Sequence, residues 1–169
     1  KRFREHLSPV PAPPRQSRPD RVTLTATVAR RNPRSIDRVI SNLKGPKQVK
    51  VGFPGGETDV TVLQKAVWNH FGTSRGIPER PFMTNSLRKN TSKYRDMVKS
   101  FAKRIIRGKM SFKHALSLLG IDAQGDIQQE ITTLRSPRNA PSTVKRKGSS
   151  NPLIDTGEMR AAVTYKVED

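Results

Sequence analysis

Apolar and polar positions alternate strictly in RVTLTATVAR: Val22, Leu24, Ala26 and Val28 fall on one side, Thr23, Thr25 and Thr27 on the other. A period of two predicts a half-buried strand, or an arm strand that adds to a neighbour's sheet. The period then lengthens. Ile36, Val39, Ile40 and Leu43 have helical spacing, with Ser35 as a candidate cap and Gly45-Pro46 as the stop. Alternation returns at Val49, Val51 and Phe53 and breaks at Pro54-Gly55-Gly56, which predicts a strand and a turn. A looser helical pattern runs from about Thr61 through Val62, Ala66, Trp68 and Phe71, closed by Gly72. The segment TSRGIPERP reads as a loop, and Pro81 suits the first turn of the next helix, where its missing N–H costs nothing.

That next helix has the clearest periodicity in the chain. Leu87, Tyr94, Met97, Val98, Phe101, Ala102, Ile105 and Ile106 form one stripe, ended by Gly108. Arg88, Lys89, Lys93, Arg95, Lys99, Lys103, Arg104 and Arg107 form the opposite face. Ser111 is placed to cap a shorter helix through Phe112, Ala115, Leu116 and Leu119, with Gly120 as its end. A third helical piece is expected from about Asp126 through Ile127, Ile131 and Leu134. Residues 135–150 read as a long basic loop, stiffened by prolines in its first half and loosened by Gly148-Ser149-Ser150 in its second. Thr156 suits the N-cap of a short turn over Gly157–Arg160, and Val163, Tyr165 and Val167 alternate as a final strand. The pattern predicts an α+β fold. It has a small antiparallel or mixed sheet packed with one long amphipathic helix and shorter helices, plus an extended basic N-terminal arm. Residues 1–34 are the arm, proline-rich and carrying the first strand; residues 35–169 form a single α+β domain.

Composition narrows the class. The chain has 169 residues, a third of them hydrophobic, and 13 prolines. That suffices for one modest core. The first residue is not methionine, so a processed or trimmed product is expected. There is no cysteine, hence no disulfide and no thiolate metal site; this points to a reducing compartment or to indifference to redox state. No apolar run approaches the length of a membrane span, and the N-terminus has no apolar core of a signal peptide.

Catalytic constellations are hard to find. His6, His70 and His114 lack a histidine or acid at metal-ligand spacing, and each reads as a structural histidine. Asp155-Thr156 reads as a turn, since no second carboxylate stands at a spacing suited to acid–base work. VGFPGGETD lacks both the lysine of a P-loop and the glycine spacing of a dinucleotide loop. The expectation is a protein that is not an enzyme and holds no cofactor or metal.

Charge is the dominant signal. The net charge is +19, and between Arg75 and Lys109 eleven Lys/Arg face two acids, Glu79 and Asp96. Solvated helices mix signs for i,i+4 pairing, so one sign alone implies an external anionic partner. Arg88, Lys89, Lys93, Lys99, Lys103 and Arg104 are the candidate contacts, to a DNA backbone or to an acidic protein face. The loop before them is bracketed by Trp68, Phe71 and Phe82, whose rings are expected in the core, anchoring both loop ends. Arg75 and Arg80 would then meet acidic groups on a partner.

Four segments, in order, resemble the tail-completion or neck (head–tail joining) proteins of tailed bacteriophages: VKVGFPGG, AVWNHFGTSRGIPERPFM, GDIQQEI, and NAPSTVKRKGSSNPLIDTGEMRAAVTYKV. The resemblance spans about residues 36–168 and does not cover the N-terminal arm. It implies a structural virion protein at the head–tail junction, assembled in the host bacterial cytoplasm. It also implies a ring of six or twelve identical subunits around the DNA channel, beside neck, portal and tail-tube proteins. Subunit or partner contacts would fall at Arg75, Ile77, Pro78, Arg80, Pro81 and Phe82, and at Lys145, Arg146 and Lys147. The alternative from charge alone is a free-standing, sequence-independent nucleic-acid-binding protein.

Overall fold

A computed structural model describes residues 33–168. The expected arm and its strand at 22–28 lie outside them, except that Pro33 and Arg34 already belong to the first helix. The elements in order are α1 (Pro33–Leu43), β1 (Gln48–Gly52), α2 (Val60–Phe71), α3 (Phe82–Ile106), α4 (Phe112–Thr133), α5 (Pro141–Lys147), α6 (Glu158–Ala161) and β2 (Thr164–Glu168). The architecture is α+β, with a two-stranded antiparallel sheet among the described residues.

Local chemistry sets most of the boundaries. Asp59 caps α2, its carboxylate accepting from the backbone N–H of Thr61 at 2.8 Å and of Val62 at 3.4 Å. Ser111 caps α4 by accepting from the His114 N–H at 3.2 Å. Thr156 does not take the cap of α6; Gly157 does, at φ 88°, while the Thr156 hydroxyl accepts from the Glu158 N–H at 3.4 Å.

The two strands come from opposite ends of the described chain, with Val49 opposite Val167 and Val51 opposite Tyr165. One face of this ribbon lies on α4, which pairs along its length with α3. The main core gathers Val62 and Ala66 of α2, Phe82 of α3, Ile127 and Ile131 of α4, then Leu134, Leu153, Met159 and Val163. A smaller cluster of Ile105, Met110 and Ala115 closes the α3–α4 turn.

Three further expectations are corrected by the fold. First, the pieces expected at 111–119 and from 126 are one helix of 22 residues, α4, so the fold has two long helices where one was expected. Gly120 does not end it. That glycine is buried mid-helix because the Tyr165 ring and the Val49 side chain lie directly against its Cα. Second, residues 135–150 are not loop throughout. Pro141 at the first turn and Gly148 at φ 68° frame α5, so the residues read as breakers serve as a start and a stop. Third, the stripe of α3 is only partly covered: Ile105 is buried, whereas Leu87, Val98 and Ile106 are more than half exposed.

Candidate functional site

The loop after α2 is built tightly. The Thr73 N–H donates to Ile77 O at 2.9 Å, and the Arg80 N–H reaches back to Asn69 O at 2.7 Å. Gly72, at φ 71°, lets the returning strand of the loop approach; a Cβ there would stand 2.9 Å from the Glu79 nitrogen. The loop therefore arrives at Arg80 with a fixed direction.

Arg80 is 3% exposed. Its Nε donates to Pro137 O at 2.9 Å, Nη1 to Asn69 Oδ1 at 3.0 Å, and Nη2 to Asn139 Oδ1 at 3.0 Å and Arg138 O at 3.3 Å. No carboxylate lies among these partners. The planar fork is satisfied by carbonyl and amide oxygens arranged on three sides, a use that an ammonium could not fill. Burial depresses the Arg80 pKa, but a guanidinium remains charged throughout the usual pH range. The side chain thus ties the 72–81 loop to the 137–139 segment.

A second tie runs through Asn151. Its Nδ2 donates to Thr132 O at 2.9 Å, its Oδ1 accepts from the Leu153 N–H at 3.1 Å, and its own carbonyl accepts from Lys147 Nζ at 3.1 Å. Lys147 is half-buried, and burial lowers its pKa, with Asp155 opposing and Arg80 and Arg146 adding to the shift. These contacts enclose a polar cleft of about 340 Å³. Ile77, Pro78 and Arg80 line it from one segment, Arg146 and Lys147 from α5, and Asp155 and Glu158 from the turn into α6. The cleft presents cations and carboxylates side by side, an arrangement that suits docking a polar protein surface.

Of the expected contact residues, the structure brings Ile77, Pro78, Arg80, Arg146 and Lys147 to this cleft. Arg75 and Lys145 are exposed outside its lining. Arg80 and Phe82 are buried, so their side chains act within the chain: Arg80 does not reach outward to acidic groups, and Phe82 is fully enclosed in the core. Asn69, Asn139 and Asn151 were missed. Asn139 and Asn151 stand in the motif-bearing stretch NAPSTVKRKGSSN, and asparagines flanking prolines and glycines in a basic loop are the signal for such side-chain–backbone ties.

The ring expectation is also corrected. Trp68 is 45% exposed and Phe71 71% exposed. Helix α2 buries the face of Val62 and Ala66, and Trp68 and Phe71 turn off it. His70 packs edge-on to both Phe71 and Phe82, at 4.6 and 5.3 Å between ring centroids. Burial lowers its pKa, against a smaller opposing pull from Glu79. The neutral imidazole is the folded form, whereas the unfolded chain takes up a proton near pH 6.5. Stability linked to His70 is therefore complete above that pH and is lost as pH falls below it. A urea-unfolding series from pH 7.5 to about 5.5 should show the midpoint dropping in the native chain and dropping less in His70→Phe.

The basic face of α3 changes meaning once α4 is beside it. Lys89 Nζ lies 2.6 Å from the buried carboxylate of Glu130. Lys93 reaches Asp126 at 2.9 Å and Asp122 at 3.2 Å, and the Tyr94 hydroxyl donates to Asp126 at 2.8 Å. Lys99 pairs with Asp96 at 3.2 Å on its own helix. The sign imbalance along α3 is thus partly answered within the chain. Arg88, Lys103 and Arg104 have no acidic partner among the described residues.

No helix among the described residues is long and apolar enough to cross a membrane. No protein-family model, curated protein or solved structure matches this chain.

Proposed function

We propose that this chain is a non-enzymatic structural protein of a tailed-phage neck, working as a ring of identical subunits that completes the tail and joins it to the head connector around the DNA channel. One observation supports the reading most. The two segments that carry the resemblance most fully, Ile77–Phe82 and Asn139–Gly157, are far apart in sequence yet meet in one cleft, pinned by the Arg80 fork. Two motifs that converge on one structural unit are better accounted for by a shared architecture than by two separate coincidences. The cleft then serves as a subunit or ring contact, facing neighbouring neck, portal or tail-tube proteins. Immunogold labelling of tailed particles from the source lysate should place the chain at the head–tail junction. Intact tailed particles that carry none of it, on a denaturing gel as well as by label, would sink the proposal.

A second reading draws on Arg88, Lys103 and Arg104, cations left without a described acid. They favour an external anion, and the channel DNA or an acidic protein face would both supply one. If free duplex DNA is the partner, fluorescence anisotropy should show affinity falling steeply between about 50 and 200 mM salt. A triple Arg88→Ala, Lys103→Ala, Arg104→Ala chain should then reduce the salt slope by about three. Absence of binding at low salt leaves an acidic protein face as the partner.

A further inference from the structure

Among the described residues, two exposed apolar surfaces have opposite shapes. One is concave. A groove of about 660 Å³ runs between α2 and α3 above β1. Val51 and Phe53 line its base, and Val67, Phe71, Met83 and Leu87 line its sides. Val67, Phe71 and Leu87 are all exposed, Phe71 most of all. The other surface is convex. Helix α1 lies against α3, yet Ile36, Ile40 and Leu43 are each more than half exposed. They fall at i, i+4 and i+7, a single ridge about 10 Å long by helical rise.

We propose that the groove receives helix α1 of a second copy of this chain. An apolar ridge at i, i+4 and i+7 is the form in which an amphipathic helix enters a hydrophobic groove. The volume admits three branched aliphatic side chains with room for the helix edge that carries them. The groove lining is apolar, and this chain itself carries the matching ridge in Ile36, Ile40 and Leu43. Ridge and groove are different patches, so the contact is heterologous. Repeated from copy to copy it closes into a ring or runs on as an open chain. The inference deepens the ring reading and rests on it for closure only; the contact between two copies stands by itself.

Charge sets a signature that separates this contact from nucleic-acid binding. Each copy carries a net charge of +19, so copies repel at low ionic strength. Apolar docking should tighten as salt screens that repulsion, whereas phosphate binding weakens.

The absence of native cysteine makes a clean test. Ile40→Cys and Leu87→Cys are prepared singly and together in the full chain, then treated with a short bismaleimide. An equimolar mixture of the two single variants should give a covalent dimer, at least about fivefold more than either variant alone. The double variant should give a ladder of dimers, trimers and higher species. Adding Phe71→Asp to the Leu87→Cys chain should cut the yield about tenfold; because Phe71 is exposed, its thermal unfolding should stay near that of the parent. Yield should rise from about 50 to 500 mM salt.

Four results would overturn the proposal: no link at millimolar chain concentration, a link within single chains of the double variant, Ile40→Cys linking to itself as readily as to Leu87→Cys, or a yield that falls with salt. Linked copies without label at the head–tail junction would refute the neck reading and keep the contact. Label at the junction without any link would do the reverse.

Discussion

Arg80→Ala should lower the unfolding free energy by about 3 kcal/mol and release the 135–150 segment to protease. The size follows from what the substitution leaves behind. Four acceptors, Pro137 O, Arg138 O, Asn69 Oδ1 and Asn139 Oδ1, lose a charged donor at 2.9 to 3.3 Å. Hydrogen bonds from charged groups are worth about 1.5–3 kcal/mol each, part of which returns when water enters the vacated space. Arg80→Lys should recover less than half of the loss, since one ammonium cannot span oxygens spread across Asn69 and the 137–139 segment. A double-mutant cycle between Arg80→Ala and Asn139→Ala should show a coupling of about 1 kcal/mol or more. Trypsin gives an independent reading, because Arg135, Arg138, Lys145 and Arg146 all lie in the segment that Arg80 holds. If Arg80→Ala unfolds within about 1 kcal/mol of the parent and resists trypsin equally, the fork is not what joins the two motif segments.

Arg80 also shows where sequence reasoning stops. Its position in Ile-Pro-Glu-Arg-Pro-Phe marks it as part of a stiff loop, and that much is local. Whether it points outward or inward depends on segments 57 to 59 residues away, and no periodicity reports on those. The same limit explains the basic face of α3. Counting charge along one helix cannot see Asp122, Asp126 and Glu130, which reach Lys89 and Lys93 only because α4 folds back alongside. Elements with a strict local period were legible: β1 and β2 fall within a residue of their patterns, and α1 ends at Leu43 as expected but starts three residues early, at Pro33, so Ser35 lies inside the helix and does not cap it. Trp68 and Phe71 were not, because an aromatic residue in a loosely periodic helix looks like core until the buried face of Val62 and Ala66 is known. The region of the cleft was legible as a set of motifs, but the asparagines that assemble it were not. Their role depends on which carbonyls the fold brings within reach.

The glycines of α4 yield the sharpest contrast, because two of them should respond in opposite directions to the same change. Gly125 has nothing within 4 Å of the place a Cβ would occupy. Gly125→Ala should therefore stabilise the protein by about 1 kcal/mol, through helix propensity and a less flexible unfolded chain. Gly120 lies on the same helix, five residues earlier, and gains the same propensity term. There a Cβ would stand 2.7 Å from Cγ of Tyr165 and 3.0 Å from Cγ2 of Val49. A ring atom fixed in a paired strand cannot swing aside as a flexible side-chain end does, so either β2 lifts from α4 or the helix bends. Overpacking of this kind costs about 1–3 kcal/mol, occasionally more, and at Gly120 it must also cancel the propensity gain. Gly120→Ala should thus destabilise by about 2 kcal/mol net. Gly120→Val, with a branched side chain against the same ring, should leave little folded protein at 37 °C. The cause is tested by removing the ring. In a Tyr165→Ala background, Gly120→Ala should cost far less or become favourable, a coupling of opposite sign to the single substitution. Equal costs in both backgrounds would mean that Gly120 is required by the backbone of α4 itself and not by the strand packed against it.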